Sequence, residues 1–403
     1  MRRDFVARLS YLVPRSAPIV LLLLTLAAVA GFAAVSHLVA RFNANQQSRG
    51  RKLYAAGLED VNAHRYDDAV DAFRAALTCD PSNSQYELSL ARALRDSGDP
   101  LLLDEAESYL LTLWQSAPQD AAVNLALARV AARRGSVADA TRYYHNAMYG
   151  VWNSDSDVNR RDARIELIQF LLKEKATDRA ESELIALASN LPADPALHLQ
   201  TAQLFEQAHD YSGARSQYEE VLHHESSNAI ALAGLGQAFY NLGDYASAQR
   251  YLQRAVGANP QDAHSRQLLA TAELVLRVNP YRTHISDAER NRRIIAAFTQ
   301  AERRLAECAQ SRSVILPRAI SAPVTASTAN QPPASPLLAL QASWLAMKPQ
   351  LPHIRSAAET DLPDSIMDLV FQIEQQTASQ CGAPQGYDLA LLLISQKREA
   401  AGQ

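Results

Sequence analysis

The sequence predicts an all-α fold: an α-solenoid of six full 34-residue-type repeats, a divergent seventh and a cap helix, behind one N-terminal transmembrane helix. Three observations predict it. A 34-residue pattern of small and large side chains recurs along the chain. One long run near the start carries no Asp, Glu, Lys or Arg. Ala, Leu, Gln, Arg and Glu outweigh β-branched and aromatic residues, which favours helices over strands. The chain has 403 residues, 48% of them hydrophobic, enough for a substantial core. Its formal net charge of −4 holds no basic excess, so nucleic acid is not an expected partner.

Residues 1–17 form an N-terminal tail with Arg2, Arg3, Arg8 and Arg15. Residues 18–40, PIVLLLLTLAAVAGFAAVSHLVA, form the apolar run, with His37 its one titratable side chain and Arg41 closing it. At 1.5 Å rise per residue the run spans roughly 34 Å, against about 30 Å of bilayer hydrocarbon. The competing reading is a cleaved signal peptide with Ala28-Val29-Ala30 as its small-residue site. The run continues ten residues past that site, so an uncleaved anchor is expected. Arg41, Arg49, Arg51 and Lys52 on the far flank balance the four arginines before the span. Only the N-terminal amine tips the count toward a cytoplasmic N-terminus and extracytoplasmic repeats.

Residues 50–83 (GRKLYAAGLEDVNAHRYDDAVDAFRAALTCDPSN) align with 229–262 (AIALAGLGQAFYNLGDYASAQRYLQRAVGANPQD). They share Gly57/Gly236, Tyr66/Tyr245, Ala69/Ala248, Ala76/Ala255 and Pro81/Pro260. The phase carries through starts at 50, 84, 121, 161, 195, 229 and 263, with three extra residues near Leu101-Leu102-Leu103 and six between Asn153 and Arg160. Position 20 is always Ala (69, 106, 140, 180, 214, 248), and position 24 is always large (Phe73, Leu110, Tyr144, Leu184, Tyr218, Leu252). Small residues let two helices approach closely, large ones fill the space between them, and Pro ends the second helix. This pattern resembles the tetratricopeptide repeat (TPR). The resemblance covers about 225 residues and implies a TPR α-solenoid, a stack of helix pairs A and B whose A helices line a partner-binding groove.

The resemblance places positions 9, 12 and 13 of helix A in that groove. They hold Arg92, Arg95, Arg129, Arg133, Gln169, Lys173, Gln203, Gln237 and Asn241, a ladder of basic and amide side chains. Arg and Gln donate to backbone carbonyls, and Arg also pairs with carboxylates. The expected occupant is a protein partner or peptide segment with acidic or exposed-carbonyl character; the plainer alternative is a merely solvated face. The chaperone-type clamp, Lys at position 5 with Asn at 9, is missing: position 5 holds Tyr54, Leu88, Leu125, Ile165, Leu199, Ala233 and Gln267.

The TPR solenoid with its cap helix is expected over 50–310. The cap helix runs from Ser286 to Gln310, with Ser286 and Glu289 as a capping box. Residues 311–352, with seven prolines, read as a Pro/Ala-rich linker holding one short apolar helix, Leu337 to Met347. Residues 353–403 read as a small helical C-terminal segment, too short for a firm core of its own and expected to pack on the solenoid. Cys308 and Cys381 each end a helix. A disulfide between them would fasten that segment across the linker, and two buried thiols are the alternative.

No Walker loop, HExxH or GxSxG is present, so no enzyme, cofactor, metal or small-molecule substrate is inferred. His223-His224-Glu225 sits at a helix end, where adjacent side chains diverge. The stretch Asn153 to Asn159 has calcium-loop composition, but Val158 stands where Gly is needed and Arg164 where a bidentate Glu belongs. It reads as a solvated insertion. Anchor plus array is similar in architecture to helper proteins of the translocon and of cytochrome c maturation. The expectation is a membrane-anchored scaffold or adaptor of a cell-envelope complex at a bacterial inner membrane. The alternative is a cytoplasm-facing substrate-recruiting or regulatory subunit of a membrane enzyme.

Overall fold

The computed structural model describes residues 17–317, 335–355 and 361–402. The N-terminal tail up to residue 16 and linker residues 318–334 lie outside the described residues. Apart from one isolated parallel bridge between Asp120 and Val151, every regular element described is helical. The chain divides into two compact units, residues 1–176 and 177–403.

The first unit holds α1 (Ala17–Asn62), α2 (Tyr66–Cys79), α3 (Ser84–Asp96), α4 (Leu102–Ser116), α5 (Ala121–Arg133), α6 (Val137–Tyr149) and α7 (Ser156–Lys173). Helix α1 is one uninterrupted element of 46 residues that carries the apolar run directly into the first repeat. The stretch between them, RFNANQQSRGRK, contains no proline and one glycine, so nothing breaks the hydrogen-bond ladder. That glycine, Gly50, lies against the second helix of its repeat, where an added Cβ would meet the Cys79 Cβ at 3.1 Å. Adjacent helices pack as pairs, α1 with α2, α3 with α4 and α5 with α6. At Gly57 a Cβ would sit 2.5 Å from the Phe73 ring, so the large residue at position 24 packs beneath the small residue of its own repeat. Asn83 and Asp120 cap their helices by accepting backbone N–H bonds from Tyr86, and from Ala122 and Val123.

Both insertions are partly helical. The extra residues near Leu101 open α4 at Leu102. The stretch expected to be a solvated insertion is mostly exposed, and its second half is helical: Asp155 takes a left-handed conformation at φ 48°, and Ser156 to Arg160 form the first turn of an 18-residue α7. Trp152 Nε1 donates to the Ala147 carbonyl at 3.0 Å and holds the chain that enters this turn.

The second unit holds α8 (Thr177–Ala188), α9 (Pro195–Gln207), α10 (Tyr211–His224), α11 (Ala229–Asn241), α12 (Tyr245–Ala258), α13 (Ala263–Val278), α14 (Asp287–Ser311), α15 (Pro336–Met347), a 3₁₀ stretch (Lys348–Arg355), α16 (Leu362–Cys381) and α17 (Gly386–Gly402). Asp194, Asp210, Asn228, Asp244 and Asp262 cap successive repeat helices with their side chains. Ala214 and Ala248 are fully buried. Ala214→Leu inserts methylenes into such a contact and should cost on the order of 1–3 kcal/mol. Ala138→Leu, on the exposed side of α6, should cost almost nothing. Equal losses of melting temperature in the two variants would mean that the repeat phase is misassigned.

The chain after the repeats folds onto them within this unit. Helix α16 packs on α14, and α17 on α13. Leu337 and Trp344 of α15 are buried. The Trp344 ring stacks on Phe298 at 5.1 Å, and its Nε1 donates to the Phe298 carbonyl at 3.3 Å. The 336–352 part of the expected linker is therefore structured, because its apolar residues find the face of α14 that Ile294, Phe298 and Leu305 present. The capping box closes on one side only. Ser286 accepts from the Glu289 N–H at 3.2 Å, while the Glu289 carboxylate pairs with Arg293 at 2.8 Å instead of returning to Ser286. The sulfurs of Cys308 and Cys381 lie 1.99 Å apart and join α14 to α16 across 73 residues of sequence; Cys79 is a half-buried free thiol.

Candidate partner-binding grooves

The residues expected to form one ladder fall in three places. In the first unit, Arg95 of α3, Arg129 and Arg133 of α5, and Gln169 and Lys173 of α7 line a cleft of about 670 Å³, together with Asp96, Tyr144, Glu166 and Phe170. The four-residue step from position 9 to position 13 brings Arg129 and Arg133 onto one face of α5, and Gln169 and Lys173 onto one face of α7.

Two carboxylates unanticipated in the sequence sit among these cations. Arg129 forks onto Glu166, with Nε to Oε2 at 2.8 Å and Nη2 to Oε1 at 2.5 Å. This bond raises the Arg129 pKa despite burial, and the Tyr144 hydroxyl donates to the same carboxylate at 3.4 Å. Burial pushes the Tyr144 phenol well above its ordinary range, and the Glu166 charge adds to it. Arg95 is nearly buried and holds its neighbour Asp96 through Nε at 2.8 Å and Nη2 at 2.6 Å, while Arg133 reaches Asp96 at 3.7 Å. Arg92 stands beside this group with a buried Nε that has no hydrogen-bond partner. Burial lowers its pKa, and the positive charges of Arg129 and Arg95 lower it further. Four cationic side chains of the cleft thus face two carboxylates, an excess of two positive charges. Gln169, Lys173 and Arg133 are exposed. Arg129 and Arg95 are already committed to internal partners.

In the second unit, Gln203 and Gln237 line a separate pocket of about 290 Å³ with Glu206, Tyr218, Ile230, Ala233, Gly234 and His264. Gln237 Oε1 meets His264 Nε2 at 3.0 Å. Glu206 is the functional candidate that counting basic and amide side chains passed over; its place at position 12 of a first helix was the available signal. Asn241 lies apart from that pair. It borders a cavity of about 480 Å³ between the α11–α12 turn and α17, with Tyr240, Tyr245, Leu393 and Lys397. Lys397 Nζ donates to the Gly243 carbonyl there. Asn241 is exposed and borders a helix of its own chain as well.

Two family profiles described as tetratricopeptide repeat match residues 54–101 and 206–272. Similar solved structures include PilF of Pseudomonas aeruginosa, 18% identical, covering 56% of this chain and 99% of that chain, with a TM-score of 0.38. PilW, described as a widely conserved type IV pilus biogenesis factor, is 17% identical over 54% of this chain and 96% of its own, with a TM-score of 0.39. YrrB, described as a TPR protein with an unusual peptide-binding site, is 16% identical over 49% and 97% of the two chains, with a TM-score of 0.37.

Proposed function

Because the chain is a tetratricopeptide-repeat protein, we propose that it is a membrane-anchored scaffold, non-catalytic, whose first-unit cleft holds an acidic segment of a partner protein. The observation that carries this reading is the excess of positive charge on one face of α3, α5 and α7, with Lys173 exposed and Arg133, also exposed, reaching Asp96 only at 3.7 Å. Glu166 and Asp96 fix the deeper arginines in place. They leave the outer cations and the Gln169 amide for a ligand carboxylate or carbonyl.

The variant to test is Arg133→Glu with Lys173→Glu. Both residues are exposed, so folding should be unaffected. Reversing Arg129 is uninformative, since a carboxylate there would face Glu166 and unfold the site. A photo-crosslinker at Gln169 in cells should capture a protein with an acidic segment, and the double variant should weaken that capture roughly tenfold or more, equivalent to about 1.4 kcal/mol. Melting should not change. Undiminished capture sinks the reading.

Helix α1 is the proposed anchor. From Val20 its apolar residues are solvent-exposed, Phe32 to 76%, and such a surface is stable only in an apolar surround. An extracytoplasmic position for the repeats is supported by the Cys308–Cys381 disulfide, since such a bridge persists only in an oxidising compartment. A phosphatase reporter fused after Gln403 should be active there. An inactive phosphatase beside an active cytoplasmic reporter at the same point reverses the orientation and favours the cytoplasm-facing regulatory subunit.

A further inference from the structure

The second-unit pocket holds a carboxylate with nothing positive beside it. Glu206 of α9 is half-buried; its Oε1 is fully shielded from solvent and accepts no hydrogen bond. The Tyr218 hydroxyl of α10 lies near the group and favours its charged form, yet burial pushes its pKa up. The other lining side chains do not compensate it. Gln203 is an exposed amide, and Gln237 is engaged with His264. Asp262 is occupied in capping α13 through the His264 and Ser265 N–H groups and the Ser265 hydroxyl. A buried carboxylate oxygen without a donor is costly, and a ligand that brings a donor to it offsets that cost.

The walls fit the stem of the donor that is missing. Gly234 packs so closely on Tyr218 that an added Cβ would lie 2.2 Å from the ring carbon Cζ. The tyrosine ring therefore forms the floor and presents its hydroxyl to Glu206. Ile230 stands 58% exposed at the rim, with Ala229 and Ala233 beside it. An apolar rim above a carboxylate matches a side chain that buries methylenes and ends in a cation. The cavity of about 290 Å³ has room for one such side chain.

We propose that this pocket receives a lysine or arginine side chain from a segment of a partner protein, its cation pairing with Glu206 and its methylenes lying on Ile230, Ala233 and the Tyr218 ring. This rests on the reading that the first helices of the repeats hold partner segments, and it names the chemistry of one position in such a segment.

The test uses the full chain in detergent and a phage-displayed library of random dodecapeptides. Peptides are kept that wild type retains and Ala233→Trp, with the pocket filled, does not. They should be enriched in Lys or Arg, and Glu206→Gln should weaken each at least tenfold, with melting no lower than wild type. Glutamine keeps the shape of the side chain beside Tyr218 and removes a poorly solvated charge. Ile230→Lys, which supplies a cation from the chain itself at an exposed position, should lose the same peptides even if Ala233→Trp folds poorly. Retained peptides without basic enrichment, or indifferent to Glu206→Gln, overturn the cation while the groove reading stands. If no peptide distinguishes wild type from both blocked variants, the groove reading of this face fails as well.

Discussion

Glu374→Gln should raise protection of the C-terminal helices against hydrogen exchange by roughly 10²–10³-fold at pH 8, and should change it little at pH 4.5. Glu374 is 0% exposed in the core between α16, α14 and α17, and neither of its oxygens has a hydrogen-bond partner. Burial pushes its pKa from 4.5 to about 8; the charge of Asp388 on α17 contributes, and Arg304 on α14 opposes. Asp388 itself is raised by burial and is held by Gln300 at 2.8 Å. A carboxyl whose folded pKa lies above its unfolded one gives its full stabilisation below the unfolded value. That stabilisation is lost as pH rises through the folded value. The wild type should therefore weaken steadily between about pH 4.5 and 8, by on the order of 3–4 kcal/mol. Glutamine, neutral throughout, should flatten that slope. A wild-type profile already flat over this range would show that Glu374 is not buried as described.

Reduction, or Cys308→Ser with Cys381→Ser, should free α16 and α17 more readily than any single contact loss. The bridge closes 73 residues, and the chain-entropy relation assigns about 4 kcal/mol to a loop of that length. Among the contacts that would remain are the Trp344–Phe298 stack, the Arg304 bond to the Gly382 carbonyl at 2.8 Å, the Gln300 bond to Asp388 and the apolar face of α16. The variant should lose exchange protection in α16 and α17 while α2 to α5 keep theirs. Thiol labelling of the denatured protein should find one reactive cysteine, Cys79, before reduction and three after. Three before reduction would remove the bridge and, with it, the main support for an oxidising compartment.

The repeat phase was legible because it is written in side-chain size. Ala69, Ala140 and Ala214 sit where helices touch, and Phe73, Tyr144 and Tyr218 fill the gaps, so a local rule repeats at fixed spacing. Charge pairing follows no such rule. Arg129 and Glu166 meet across 37 residues because α5 and α7 adjoin in the cleft, and a count of cations along first helices registers Arg129 as free. Glu206 was hidden in the same way: its meaning depends on Gly234 admitting the Tyr218 ring beside it. Glu374 left a trace that sequence alone could have shown. It follows Ile366, Val370 and Ile373 on the apolar face of α16, where an acid stands out. The surroundings of Asn241 were not legible, because the pattern of helix A says nothing of a later helix, α17, bordering the same cavity.

Helix α1 fixes a distance. From Arg41, where the apolar run ends, to Gly50, where the first repeat begins, the same rod advances by roughly 14 Å. With that run spanning a bilayer, the first repeat would ride at a set height, just beyond the headgroup layer of roughly 5–8 Å, with no slack for swivelling. Its azimuth would follow any rotation or tilt of the rod in the membrane. A proline at Gln46 would turn the mast into a hinge, shortening nothing but releasing the heading, and a four-residue insertion there would lift the repeats by about 6 Å and turn them by roughly 40°.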